Sequence, residues 1–221
     1  MERGVKGWWA LVLLLAGCAA QPFAREELPV LQNPDPQAIR QSFAASIPAK
    51  FVSDDTIVVS VPFHSDMAFL TVMRADRAAG KFEIAALNLT GIKLFDITSD
   101  PSGSKILYAV PPLEQHKDIL LMTAAAIREM FLDLTPAADA KVKVAKTQVQ
   151  YVDGKLVYRI GGNPAVLLEK KEDGLLGYKW RVQYFRYASD SGRLYPRGLV
   201  MDNGTYHYRI VMKNRDMEID Q

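Results

Sequence analysis

This chain is short of cysteine, of long apolar runs and of charge of one sign. One cysteine, Cys18, stands among 221 residues, so no intramolecular disulfide can form and the fold must rest on its apolar core. At 49% hydrophobic residues there is material for such a core. The only marked apolar run, Trp8 to Leu15, is far shorter than the ~20 residues that span a bilayer, which excludes it as a lasting transmembrane anchor. A formal charge of +2 gives no reason to invoke nucleic acid or an acidic polymer as partner. Internal repeats and low-complexity blocks are lacking, so one folded domain is expected. Its three histidines, His64, His116 and His207, offer no pair at metal-ligand spacing, so no metal or cofactor is expected. His64-Ser65-Asp66 holds the residue types of a triad, but side by side, whereas working triads are assembled in space. No catalytic residue is assigned, and the chain is not read as an enzyme. Gly161-Gly162-Asn163-Pro164 lacks the lysine and helix that follow a phosphate loop and reads as a turn.

What is present starts at the N-terminus. Arg3 and Lys6 precede the apolar run, and Leu15-Ala16-Gly17-Cys18 closes it. A basic start, a short apolar core and small residues read as a secretory signal. The last four residues resemble the lipobox of bacterial lipoproteins. That resemblance implies cleavage before Cys18, a diacylglyceryl group on its thiol and acylation of its new amine, palmitate being the type of chain. Several acyl chains bind a membrane far more firmly than one. Ala19 and Ala20 follow where an aspartate would favour the inner membrane, so the resemblance implies anchoring in the outer membrane, facing the periplasm. The expected organisation is a signal over 1–17, a lipidated cysteine and tether over 18–34, and a domain over 35–221. Pro22, Pro29 and Pro34, with no apolar periodicity between them, suit a tether.

Asp35-Pro36 predicts a helix start, with Ile39, Phe43 and Ile47 forming one stripe and Pro48 ending it. Five alternating segments then predict an antiparallel run: about 56–61, 67–74, 81–87, 92–98 and 105–110. Pro111-Pro112 ends it. Leu120, Ile127, Met130, Phe131 and Leu134 next share the face of a longer helix, with Pro136 as its stop. Six more strands follow, over 147–152, 155–160, 165–171, 178–187, 194–201 and 205–213, two of them joined by Asp153-Gly154 and two by Asn203-Gly204. Tyr178, Trp180, Val182 and Tyr184 are expected on one face and Lys179, Arg181 and Gln183 on a wet, basic one. Tyr206, Tyr208, Ile210 and Met212 repeat the pattern. The fold class is mainly β with two helices (α+β): a strongly curved antiparallel sheet or incomplete barrel of about eleven strands, with helices on its concave side.

This order of elements resembles the LolA/LolB group of lipoprotein carriers, and more closely a family of LolB-like outer-membrane lipoproteins often encoded beside aryl polyene biosynthesis genes. The resemblance rests on Leu87-Asn88-Leu89-Thr90-Gly91-Ile92-Lys93-Leu94-Phe95-Asp96-Ile97, on Ala126-Ile127-Arg128-Glu129-Met130-Phe131-Leu132, and on the closing hairpin from Leu199 to Met212. Two departures stand out: Leu89-Thr90 replaces Pro-Leu before Gly91, putting threonine at LolB's protruding leucine, and Met130 replaces a tryptophan.

The resemblance implies an apolar cavity for an acyl-bearing ligand (lipoprotein, lipid or aryl polyene lipid), delivery to the outer membrane, a LolA-like periplasmic carrier as partner, and a monomer. Candidate lining residues are Met67, Phe69, Met73, Phe82, Tyr178, Trp180, Tyr206 and Tyr208, a set whose methionines and aromatics adapt to flexible chains. Ile127, Met130 and Phe131 are candidates for the lid helix. Leu89, Thr90, Leu175 and Leu176 are candidates for a membrane-contact loop. Alternation alone does not separate a lipid cavity from a closed core, so a scaffolding lipoprotein binding an envelope protein stays open. A lipid-modifying hydrolase is the weaker rival.

Overall fold

The computed structural model describes residues 22–25, 27–32, 34–63, 65–175 and 177–219. Cys18 and the whole signal lie outside these residues, as do His64 and Leu176.

Helix α1 (Pro36–Ser46) begins as its sequence requires: the Asp35 carboxylate accepts the Gln37 N–H at 2.9 Å and Pro36 takes the first helical position. Phe43 is buried, and Ile39 and Ile47 pack beside it. Five strands follow, β1 (Lys50–Ser60), β2 (Met67–Asp76), β3 (Lys81–Leu87), β4 (Lys93–Asp100) and β5 (Gly103–Ala109). One helical turn, α2 (Pro111–Glu114), leads into α3 (Lys117–Phe131). The second run comprises β6 (Lys141–Val144), β7 (Gln148–Asp153), β8 (Leu156–Gly161), β9 (Val166–Gly174), β10 (Gly177–Asp190), β11 (Arg193–Asn203) and β12 (Tyr208–Ile219).

All twelve strands form one sheet in the order β5-β4-β3-β2-β1-β12-β11-β10-β9-β8-β7-β6, every pair antiparallel. The first and last strands meet at its centre, and its two edges are β5 and β6. The segment that carries α2 and α3 joins those edges. A sheet this wide curls, and α3 lies against β4, β5 and β11 in the resulting half-barrel. The core joins α1, α3 and the concave face: Phe43, Phe51, Met73, Phe82, Ile84, Ile97, Ile127, Met130, Phe131, Ile160 and Leu167 are all almost completely buried.

Three differences from the sequence reading have physical reasons. There are twelve strands rather than about eleven: β6 is Lys-Val-Lys-Val with all four residues exposed, so no burial pattern marks it. Its lysines are what protects a free sheet edge. Helix α3 ends at Phe131, short of Pro136, where Arg77 meets the last carbonyl. The outer face of β10 is wet at Lys179 but covered from Gln183 to Phe185. Residues 22–25 and 27–32 pass over it as a strap, and Phe23 forms a small second cluster with Phe185 and Val200. Gly198 makes room for it, since a Cβ there would stand 2.9 Å from the Phe23 ring. Gln183, expected in water, is buried beneath this layer.

Candidate functional site

The concave face brings together part of the expected lining set. Met73, Phe82 and Trp180 point inward and are buried, and Tyr208 lies half-buried against the same core. Phe69 sits at one end of the face, edge-on to Phe95 at 6.5 Å. Ile127, Met130 and Phe131 all face this wall from α3 and are buried with it. The remaining residues sit elsewhere. Met67 is exposed at the start of β2, and Tyr206 is exposed in the turn after Asn203, whose side-chain oxygen accepts the Thr205 and Tyr206 N–H groups. Tyr178 faces outward under the Arg181 guanidinium, 4.8 Å from its ring centre, because a bulge between Tyr178 and Trp180 reverses the strand phase.

Between sheet and α3 the packing is closed. Open clefts lie outside: one of about 160 Å³ beneath the strap, lined by Arg25, Leu28, Arg159, Glu169, Gln183 and Arg186 among others, one of about 350 Å³ between the start of α1 and β6, and a wide one of about 580 Å³ between the strap, α1 and the β8–β9 turn.

The two ends of α3 are held differently. At its C-terminus the carbonyls that lack a helical partner are taken one by one. Glu129 O accepts from Lys170 Nζ at 3.3 Å, Met130 O from Tyr184 OH at 3.2 Å and Phe131 O from Arg77 Nε at 2.6 Å. Arg77 also donates to Pro48 O and stacks on Phe51. Desolvation pulls its guanidinium down to about 10, still cationic at neutral pH, as suits the negative end of a helix. Arg128 reaches outward to Gly80 O, Ser99 Oγ and Asp100 O at 2.8–3.2 Å. At the N-terminus His116 provides no side-chain cap, and among the described residues no side-chain hydrogen bond ties the first two turns to the sheet. Ile119 and Leu121 are exposed there.

That free end lies at an apolar rim. Strand register puts the turn residues 61–63, 65–66, 88–92, 175 and 204–207, together with the end of β5, at one end of the half-barrel. Phe63 and Leu175 there are fully exposed, as in large part are Leu89, Ile92, Tyr206, Leu107 and Tyr108. In the 88–92 turn Thr90 gives its hydroxyl to Asn88 Oδ1 at 2.8 Å, and the Thr90 and Ile92 N–H groups bond the same oxygen. Leu89 is 66% exposed with its apolar side chain free to meet a bilayer, while Thr90, also exposed, has its hydroxyl engaged within the turn. The opposite rim carries Asp76, Arg77, Asp100, Ser102 and Asp190, with Val30 and Val144 its only large apolar groups exposed nearby among the described residues.

Two interior groups escaped the sequence reading. Lys170 in β9 is 0% exposed, its ammonium 2.7 Å from Glu129 Oε2 and over the rings of Trp180 (5.4 Å) and Tyr158 (5.8 Å). A polar row also crosses the floor. Thr71, Asp55 and Asn214 are cross-strand partners on β2, β1 and β12. Asp55 accepts from Ser53 Oγ at 2.8 Å and from Asn214 Nδ2 at 3.0 Å, and burial raises its carboxyl to about 6. Runs of inward polar residues in alternating strands were the available signal for this row. Among the described residues no group of His, Cys, Asp and Glu is arranged to hold a metal, and no helix is long and apolar enough to cross a membrane.

No family model and no curated protein matches the sequence. Among solved structures the chain is similar to a LolA superfamily protein of Nitrosomonas europaea, with a TM-score of 0.52 and 11% identity over 84% of this chain and 93% of that one. Weaker likenesses link it to a domain assigned to outer membrane lipoprotein sorting from Vibrio parahaemolyticus (TM-score 0.44, 10% identity, 84% and 92% covered) and to a DUF1329 family protein of Desulfovibrio piger (0.44, 8%, 83% and 91%). The twelve-stranded open sheet with helices in its concavity is thus a LolA-like fold.

Proposed function

We propose that this chain is a LolB-like lipoprotein of the outer membrane that takes an acyl-bearing amphiphile between its sheet and α3 and passes it to the bilayer. The observation that carries this is the meeting of two features at one end of the half-barrel: the unpinned end of α3 and the rim of exposed apolar side chains. A bilayer touching that rim meets the end of α3 that costs least to displace. The parting of α3 then uncovers Met73, Phe82, Trp180 and the inward face of the helix as an apolar wall. Leu89 and Leu175 serve as membrane contacts, with Phe63 on the same rim; Leu176, which follows Leu175 in sequence, lies outside the described residues. A lipid on Cys18 keeps the half-barrel close to the bilayer: Phe23 is five positions further on, a span of at most about 18 Å, and is wedged on the sheet at Gly198. The cargo is a lipoprotein, a lipid or an aryl polyene lipid, delivered by a LolA-like carrier. No residue set for hydrolysis is needed.

A second reading has its own observation. The closed packing of Ile127, Met130 and Phe131 on the sheet favours a scaffolding lipoprotein that binds another envelope protein. Lipid extracted from the natively purified protein and weighed by mass spectrometry, together with titration by a fluorescent fatty acid, separates the two. A stoichiometric amphiphile and saturable uptake are expected. If both are missing, the scaffold reading stands.

A further inference from the structure

Lys170 is the one fully buried cation on the concave wall among the described residues, and its position is not an accident of alternation. Leu168 is an extra residue in β9 opposite the Arg159–Ile160 step of β8, so Leu167 and Lys170, three apart, both face inward. An ammonium has three protons to give. Both oxygens that receive them, Glu129 Oε2 at 2.7 Å and Glu129 O at 3.3 Å, belong to α3. What the sheet itself offers is two aromatic faces, Trp180 and Tyr158. The nearby Glu172 is spent elsewhere, accepting from the Trp180 indole at 3.1 Å and from Lys179 at 2.6 Å. Glu129 is 31% exposed, so its carboxylate stands between Lys170 and water.

From this we propose that the ligand is an anionic amphiphile whose head group replaces the Glu129 carboxylate on Lys170. The proposal rests on the uptake reading above and sets the chemical class of the ligand. Moving α3 removes every acceptor from a charge that is out of water, and an unpaired buried charge is heavily penalised. A neutral amphiphile leaves that penalty standing. A carboxylate or phosphate on an apolar tail cancels it, while the tail covers the wall that the helix leaves and the rings of Trp180 and Tyr158 flank the head. Glu129 is the protein's own substitute for that anion, holding the site shut when no ligand is present. A fatty acid and an acidic phospholipid share this chemistry.

Trp8 and Trp9 precede Cys18, so Trp180 is the sole tryptophan of residues 18–221 and reports on this site directly. The test is quenching of Trp180 fluorescence in that chain by dibromostearate, by its methyl ester, and by the matching brominated lysophosphatidic acid and lysophosphatidylcholine. The acid should bind at least tenfold tighter than the ester. A like preference of the phosphate monoester over the choline lipid adds phospholipids to the class, and its absence narrows the class to fatty acids. Lys170→Met should bind acid and ester alike, Lys170→Arg should keep the preference, and Glu129→Gln should tighten the acid about fivefold by removing its competitor. Should Lys170→Met fail to fold, Glu129→Gln decides alone. Equal binding of acid and ester by the wild type, or a Glu129→Gln chain that binds the acid no better, overturns the proposal and leaves uptake intact. Failure of every amphiphile to quench overturns uptake as well.

Discussion

One end of α3 is tied and the other is merely covered. Its last three carbonyls each accept a hydrogen bond from a different part of the sheet: Lys170 in β9, Tyr184 in β10 and Arg77 after β2. Among the described residues its first two turns make no side-chain hydrogen bond to the sheet, with Leu120 buried and Ile119 and Leu121 outside. A helix of fifteen residues is about 22 Å long, so the contrast spans the whole opening of the half-barrel. Directional bonds resist any change of geometry, whereas apolar contact can be traded for another apolar surface at little net cost. The tied end is therefore a pivot held by Arg77 and Tyr184, from which the Lys170 contacts come away when a head group replaces Glu129, and the covered end is a flap. The flap lies at the rim where apolar side chains face outward.

The largest effect expected from breaking this contrast is at Arg77. Arg77→Met removes two charge-assisted hydrogen bonds and leaves the carbonyls of Phe131 and Pro48 without donors, a loss of about 4 kcal/mol in urea denaturation at about 1.5–3 kcal/mol for each such bond. Hydrogen exchange should quicken in the last turn of α3 and stay as it was in the first. Equal loss of protection along the helix would mean that α3 opens as one rigid unit with no pivot.

The floor between the two ends gives the next effect. The folded chain holds the Asp55 proton up to about pH 6, mainly through burial, against an ordinary value of 3.8. Between those values the folded state binds the proton and the unfolded state does not, so this residue makes stability fall as pH rises through that window. The penalty is absent below about pH 4 and complete above about pH 7, where it comes to about 3 kcal/mol. Asp76, Asp100 and Asp202 are shifted down and act in the opposite sense, so the test is a difference. Denaturation of wild type and Asp55→Asn from pH 4 to 8 should show the variant gaining on the wild type as pH rises. A constant gap would show that Asp55 is ionised throughout.

How much of this could be read from residue order follows from where strand phase holds. Strands β2 to β4 and α1 were legible because their apolar residues keep their spacing and Asp35-Pro36 marks a helix start. Strand β1, by contrast, begins at Lys50, six residues before its alternation was legible, because Ser53 and Asp55 stand on its buried face. Phase slips at the extra Leu107 of β5 and again in the second half. The bulge before Trp180 turns Tyr178 outward, and the extra Leu168 turns Lys170 inward. A lysine three residues after a leucine looks solvated in any alternating reading, so the one buried cation of the wall was invisible. Phe23 was hidden for another reason: its segment has prolines and no periodicity, and only the bare backbone of Gly198, far along the chain, makes its seat. At the rim, Leu89 and Leu175 were legible as turn leucines, yet their sharing of one end depends on register across the whole sheet.

The smallest effect is at that rim, and it separates membrane contact from stability. Leu89 and Leu175 have little protein around them, so serine at either position should change urea stability by less than about 0.5 kcal/mol. A leucine that passes from water into lipid gains roughly 1.5–3 kcal/mol when fully buried, and a side chain at the tip of a turn enters only in part. Each substitution should therefore weaken flotation with liposomes about tenfold, or ~1.4 kcal/mol, and the two should add, because no contact joins them. Val144→Ser, on the exposed edge strand β6 and toward the other end, is the matched control and should leave flotation unchanged. Thr90→Leu should gain less than its apolar area suggests, since it gives up the bond to Asn88 Oδ1 that shapes the turn and presents Leu89. If Val144→Ser weakens flotation as much as Leu89→Ser does, the membrane does not distinguish the two ends, and the apolar rim is not its docking face.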